Sequence, residues 1–429
     1  MFKLAIPTVM AQLVNLLYNI VDRIYVGRIP EIGSLSLAGL GVTFPIILLV
    51  SAFAMLAGMG GASRAAVSLG EKDNDKAEKI LGNCTMLLII FSVVLAVVFM
   101  LTKNQILMKF GASEATLPYA PDYISIYLVG TIFVQIALGL NLFITNQGFA
   151  KTSMMTVCIG AVLNIVLDPI FIYVFGMGVK GAALATIISQ GVSCLWVLKF
   201  LTGKKTILKI RLKNLVLDGK IVTSVLSLGV SPFIMQATEC LIQLTFNNGM
   251  LKYGNDLYVA LMSILFSLTQ LIWMPLNGFS QGAQPVIGYN YGAKEYKRVN
   301  KIYNLALMIA FGIMAVGTAL FMFTPETFMK MFTTQPSTIT AGASALRIIS
   351  CGFIVSSVSV VSSGALEGLG KGNESLAVSL LRYLIIIVPL AFVLSQFSGV
   401  SGVWHSFWIT EAITAIISYI IYKKALLKK

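Results

Sequence analysis

Long apolar runs separated by short polar breaks make up almost the whole chain. A helix needs about 20 mainly apolar residues to cross a bilayer. Twelve windows of that kind can be counted, at 4–27, 36–58, 80–101, 121–146, 152–175, 179–201, 221–250, 257–278, 300–323, 342–366, 374–397 and 400–422. The pattern predicts an all-α integral membrane protein with twelve transmembrane helices. No apolar N-terminal stretch is followed by a small-residue cleavage site, so no removable signal peptide is expected.

Two of the runs carry an acid where none is expected. Asp22 lies within LLYNIVDRIYVG and Asp168 within GAVLNIVLDPIFIYVFG. A carboxylate at membrane depth is costly unless it faces water, an ion or a partner, so it is a functional-site hypothesis by default. Asn164 precedes Asp168 by one helical turn and therefore shares its helix face. Thr186 follows in the next run. Oxygen-bearing side chains on three helices suit a small cation or a proton; the plainer alternative is that each hydrogen-bonds a neighbouring helix. Pro169 cannot donate the hydrogen bond of its turn, which predicts a bend beside Asp168. Carboxylate, amide and hydroxyl oxygens are hard ligands that fit Na⁺ better than a transition metal. Two adjacent carboxylates also raise each other's proton affinity.

Composition agrees with the pattern. Charged residues make up 11% and hydrophobic residues 57%, where a soluble domain has about 25% charged residues. The net charge of +14 is explained by position. With the N-terminus inside, 22 Lys and Arg fall in cytoplasmic segments and 7 in outer ones, with Arg347 and Arg382 within spans. That bias places both termini in the cytoplasm and makes the charge a topology signal rather than a nucleic-acid surface. The five cysteines lie in apolar segments without CxxC spacing and read as free buried thiols. His405 is the only histidine, which rules out a His-rich metal site. The chain contains no HExxH, no GxSxG and no Gly-rich phosphate loop ending in Lys-Ser/Thr, so it does not read as an enzyme.

The chain also repeats itself at a spacing of about 221 residues. GMGGASRAAVSLGEKDNDKAEKI, from Gly58, aligns with GFSQGAQPVIGYNYGAKEYKRVNKI, from Gly278; QGFAK aligns with EGLGK, Pro169 with Pro389, and GVKG with GVSG. Each unit holds an even number of spans, so two six-helix lobes should be related by a pseudo-twofold axis along the membrane normal. Residues 1–205 form the N-terminal lobe and 206–429 the C-terminal lobe, with 199–220 as a basic linker. The duplicated Gly-rich stretches are expected to be surface loops that turn helical.

These features together resemble the multidrug and toxic compound extrusion (MATE) family, in its DinF/MepA-like branch. The resemblance covers essentially the full length and rests on IVDRIYVGR, LNIVLDPIFI and the doubled Gly-rich motif. It implies a bacterial plasma-membrane antiporter that exports amphipathic, often cationic, drugs or metabolites by alternating access. The coupling ion would be H⁺ or Na⁺, with no other cofactor, and the protein would act as a monomer in the lipid bilayer without a nucleic-acid partner. In related proteins an N-lobe cation site is built from an Asp of the first span, an Asn and Asp of the fifth and a Thr of the sixth, which Asp22, Asn164, Asp168 and Thr186 match. An acid of the seventh span has Glu239 as its counterpart, and Glu411 is a further coupling or substrate candidate. The acid other relatives carry in the tenth span has no obvious match here, where the sequence reads SSVSVVSSGALEG. Asn141, Gln147, Gln236, Met262, Gln270, Trp273 and Asn277 fall in spans that line the substrate cavity in related proteins. The alternative is a lipid-linked oligosaccharide flippase of the same superfamily, which would present a strongly cationic cavity; here the intramembrane charges are mostly acidic.

Overall fold

The computed structural model describes residues 2–30, 32–110, 119–253, 256–332 and 335–427; the side chains of 34, 37, 38, 109, 239–260, 263 and 427 are outside the description. In the first half, α1 (Phe2–Gly27), α2 (Gly33–Gly70), α3 (Asn74–Lys109), α4 (Ala120–Val129), α5 (Thr131–Asn146), α6 (Ala150–Pro169) and α7 (Val179–Thr202) follow one another. The second half contains α8 (Gly219–Tyr253), α9 (Asp256–Gly292), α10 (Tyr296–Phe323), α11 (Pro325–Lys330), α12 (Pro336–Ser350), α13 (Phe353–Gly368), α14 (Gly372–Leu380), α15 (Ile387–Ser398) and α16 (Val400–Leu427). No strand occurs among the described residues.

Helices dominate because the bilayer leaves backbone groups no other partner. The 26 residues of α1 extend about 39 Å at about 1.5 Å per residue, more than the roughly 30 Å hydrocarbon core. Among the described residues eight helices are individually long and apolar enough to span, and two bent pairs, α4–α5 and α12–α13, bring the number to ten. The helices α9 and α16, 37 and 28 residues long, lie where the other two expected windows fall. Exposed Val93, Val94, Val97 and Val98 along α3 mark a face that only lipid would solvate well.

The repeat is visible in the backbone. Lys72 and Lys294 are the two non-glycine residues with positive φ among the described residues, at 62° and 61°. Gly178 and Gly399 share φ of 56° and 57°. The two bent pairs break at the corresponding Gly130 and Cys351–Gly352. One register differs from the sequence match. The positive-φ turn residues are Gly148 and Gly370, closed by Phe149 N–H to Ile144 O and Lys371 N–H to Leu366 O. These turns align QGFAK two residues away from EGLGK, and they pair Thr145 with Glu367. Turn geometry requires a left-handed residue at one position, whereas the letter match followed Lys151 and Lys371.

The duplicated Gly-rich stretches also depart from the expected loops. Residues 58–70 and 278–292 are not loops: they continue α2 and α9, and only 71–73 and 293–295 turn. Glycine is a poor helix former in isolation, but here it permits close approach. A Cβ at Gly70 would overlap the Tyr289 carbonyl, and a Cβ at Gly292 would overlap the Val67 carbonyl. This reciprocal crossing brings the lobes together at the end of the bundle that carries both termini. Ala5 sits against Gly282 there, and Tyr422 stacks on Tyr303 at 3.8 Å. Gly60 likewise meets Val225 and Gly229 of α8. Small residues at helix crossings are the usual means of association in membranes.

Among the described residues three buried clusters form the core, two in the first lobe and one in the second. Ala5 of α1 belongs to the second lobe's cluster and Val225 of α8 to a cluster of the first. Each lobe therefore holds the first turns of the other lobe's leading helix.

Candidate functional site

The first lobe holds a carboxylate pair, Asp168 buried and Asp22 half-buried. Packing of α1 against α6 brings the Asp22 carboxyl within hydrogen-bonding reach of Asp168. Asp168 is fully buried and Asn164 almost so. The Asn164 amide Nδ2 donates to Asp168 Oδ1 at 3.1 Å and approaches Thr186 Oγ1 at 3.4 Å. Thr186 donates its proton to Ala182 O at 3.0 Å on its own helix, which leaves its lone pairs facing Asn164. Three buried acceptors, Asp22 Oδ1, Asp168 Oδ2 and Asn164 Oδ1, have no protein donor. Neither acid forms a salt bridge among the described residues. Arg23, next to Asp22 in the chain, turns its guanidinium over the Phe44 ring at 5.6 Å. Unpaired hard oxygens in a low-dielectric setting fit a small monovalent cation or a shared proton.

Pro169 changes the helix type beside this pair. α6 ends at Pro169 and continues as a π-helical turn, Ile170–Val174, with Phe175 N–H bonded to Ile170 O at 2.9 Å. Such π turns recur at functional sites. Tyr173 extends from the turn to donate to Tyr25 O of α1 at 2.7 Å, tying the two acid-bearing helices together. Sequence reasoning did not select three tyrosines around the pair. Tyr18 lies near Asp22 and Asn19. Tyr123 is within reach of Thr186 and faces Asp22, and Tyr127 stacks on it at 6.4 Å. The available signal was the i, i+4 pair of polar aromatics in the fourth apolar run.

The other predicted residues are distributed over distinct environments. Gln147 does not line a cavity: its Oε1 accepts from Thr206 Oγ1, Ile207 N and Leu208 N, each at 2.8 Å, and so holds the linker. It lies one residue beyond the end of α5, where the turn directs it at the linker. Met262 does not line a cavity either, being 1% exposed in the second lobe's core. Asn141 donates to Ser153 O at 3.2 Å. Gln236, Gln270 and Asn277 are half-buried on α8 and α9. Trp273 packs edge-on to Phe353 at 6.4 Å and lies under the Arg382 guanidinium at 4.8 Å. Glu411 accepts two hydrogen bonds from that same Arg382, at 2.6 and 3.0 Å, and one from Ser359 at 3.2 Å. It is therefore already paired, unlike Asp22 and Asp168. The Glu239 side chain lies outside the described residues.

The chain is similar to known proteins along nearly its whole length. The Multidrug export protein MepA of Staphylococcus haemolyticus is 26% identical over 423 residues, covering 98% of this chain and 92% of that protein. Its Staphylococcus aureus namesake is 25% identical over 427 residues, with the same coverage. Among solved structures, an outward-facing multidrug resistance MATE family transporter of the MOP superfamily superposes with a TM-score of 0.94 at 26% identity, over 100% of this chain and 96% of that one. A MOP superfamily transporter from Pyrococcus furiosus, described as having a binding pocket of reverse polarity, gives 0.94 at 27% identity and the same coverage. The MatE family model matches residues 7–170 and again 232–393, one match in each lobe, and the chain belongs to the MatE family.

Proposed function

We propose that the protein is an H⁺- or Na⁺-coupled antiporter that exports amphipathic, often cationic, drugs or metabolites by alternating access. The observation that carries this reading is the Asp22–Asp168 pair, whose Asp22 Oδ1 and Asp168 Oδ2 are enclosed without a hydrogen-bond partner and which no salt bridge reaches among the described residues. The MepA relatives, named as multidrug export proteins, support the substrate class. Asp22, Asn164, Asp168 and Thr186 carry the coupling ion, and the π turn after Pro169 is the compliant element. Glu239 is a second acid on the path. Gln236, Gln270, Trp273, Asn277 and Asn141 are substrate-side residues. Residues 1–205 and 206–429 are the two moving bodies, in a monomer set in a bacterial plasma membrane with both termini cytoplasmic.

In this mechanism a proton or Na⁺ neutralises the pair, α1 repacks against α6, and the cationic substrate is released outward. The driving force suffices. One charge moving through about 100 mV releases about 2.3 kcal/mol, and each pH unit adds about 1.4 kcal/mol per proton. Their sum exceeds the roughly 1.4 kcal/mol needed for a tenfold substrate gradient. The flippase alternative needs several uncompensated basic groups converging on a diphosphate; of the two arginines within spans, Arg382 is neutralised by Glu411 and Arg347 donates to the Met322 carbonyl. The deciding experiment is dye efflux in oriented proteoliposomes under an imposed pH or Na⁺ gradient, for wild type and Asp22→Asn. Transport driven by one gradient and lost in the variant supports the reading. Retained transport in the variant, or binding of a lipid pyrophosphate without dye transport, overturns it.

A further inference from the structure

A second buried acid lies at the closed end of the bundle, in the other lobe. Glu367 is the penultimate residue of α13 and is 6% exposed. Its carboxylate accepts from Gln284 Nε2 of α9 at 2.8 Å, Ser375 Oγ of α14 at 3.2 Å and, at the outer limit of a hydrogen bond, Ser231 Oγ of α8 at 3.5 Å. All three donors are neutral, and no salt bridge reaches it among the described residues. Burial without a counter-charge favours a bound proton on this carboxyl, and the three neutral donors oppose that only in part.

Its surroundings supply a route for that proton. Ser231 is 2.8 Å from Ser375 and 2.7 Å from Ser379, and Ser375 is 3.1 Å from Ser363; in each pair either hydroxyl can donate. A hydroxyl chain whose donors can reverse is what a proton relay requires. Ser231, Ser375 and Ser379 are buried while Ser363 is half-buried, so the chain runs from the acid towards a less enclosed position. The repeat underlines the asymmetry: at the same place in the first lobe Thr145 donates to Ser153 at 2.8 Å, with no acid.

The acid adjoins the seam between lobes. Gly288 is wedged between Gly368, the next residue, and Ala66 of α2. Gly370, in the turn that follows, lies beneath the Arg64 guanidinium of α2, whose Nε donates to Ser224 O at 3.4 Å. The charged groups on these elements are Arg64 on α2, Lys371 and Glu374 around the start of α14, and Arg382 beyond it, which Glu411 occupies. Among the described residues of α8 and α9 the groups bonded to Glu367 are Ser231 and Gln284, which do not titrate.

We propose that Glu367 is a second proton-carrying site, at the inner end of the C-terminal lobe. It is loaded while α2 and α9 are packed together and empties through Ser375 and Ser363 when that seam parts. Its role in a transport cycle rests on the antiport reading above; its protonation does not. The test is infrared difference spectroscopy of the purified full-length protein between acid and alkaline buffer, with wild type, Glu367→Gln, Glu367→Thr and the Asp22→Asn/Asp168→Asn double variant. Glu367→Thr installs the first lobe's residue and guards against a fold defect in the glutamine variant. The expected result is a protonated-carboxyl band that titrates in wild type and in the double variant and is lost in both Glu367 variants. An unchanged band pattern in the Glu367 variants overturns the proposal. So does a Glu367 carboxylate that stays ionised throughout and responds only to Na⁺. A band that behaves as expected while Asp22→Asn still transports would fault the antiport reading alone.

Discussion

Arg382 and Glu411 form a buried ion pair 2.6 Å apart, with side chains only 8% and 13% exposed. The guanidinium is further enclosed by the rings of Trp273 at 4.8 Å and Tyr383 at 5.1 Å. The second lobe thus carries its own tethered cation, where the first lobe leaves its acids open. Breaking such a pair strands a buried charge and costs about 3–5 kcal/mol, while replacing both partners by apolar groups can be neutral. Arg382→Met and Glu411→Met should each lower the thermal midpoint in detergent, and the double variant should recover most of the loss. A double variant no more stable than either single one would refute the pairing.

Asp22→Asn and Asp168→Asn should each abolish gradient-driven efflux while leaving the melting profile and elution volume close to wild type, since asparagine retains the size and hydrogen bonding of the acid. In wild type, affinity for a cationic dye should fall on acidification, because the proton and the substrate charge compete for a neutralised lobe. In Asp22→Asn that pH dependence should flatten. Equilibrium dye binding across a pH series reads both outcomes.

The Gly70–Gly292 crossing leaves no room for a side chain. Gly70→Leu should wedge the seam apart and hold the lobes open at the end carrying the termini. Spin labels at the exposed positions Lys76 and Arg298 should then show a longer distance than in the parent protein. An unchanged distance distribution would mean that closure does not depend on this contact.

Gln147→Ala removes the acceptor for three donors in the linker. A buried donor left unsatisfied costs about 1–3 kcal/mol, so stability should drop by at least that much. Because Gln147 holds chain and not ligand, the KM for substrate should stay within twofold of wild type, roughly 0.4 kcal/mol. A raised KM with unchanged stability would restore it to the cavity.

What the sequence could convey followed its physics. An acid in an apolar run is rare enough to read directly, and the four-residue spacing of Asn164 and Asp168 fixes their shared face, so this cluster was legible. Tyr123 was not, because tyrosine in an apolar run is ordinary and its approach to Thr186 is purely tertiary. The twelve segments followed from hydropathy, but glycine's weak helix propensity disguised residues 58–70 and 278–292, where packing of one helix against another overrides local preference. Met262 and Gln147 show the limit of naming residues by span: knowing the helix does not tell which side of it faces a ligand. Glu367 stayed hidden because it ends its apolar run, where a charge is expected to meet water.

The crossed leading helices restrict how the molecule can move. The linker adds to this, since Gln147, Glu78 and Asn83 bind it to the first lobe as far as Asp218, immediately before α8 begins. With Ala5 gripped by one lobe and Val225 by the other, the halves are interlocked like folded arms. Any movement of one half against the other must therefore carry the first turns of both leading helices with it.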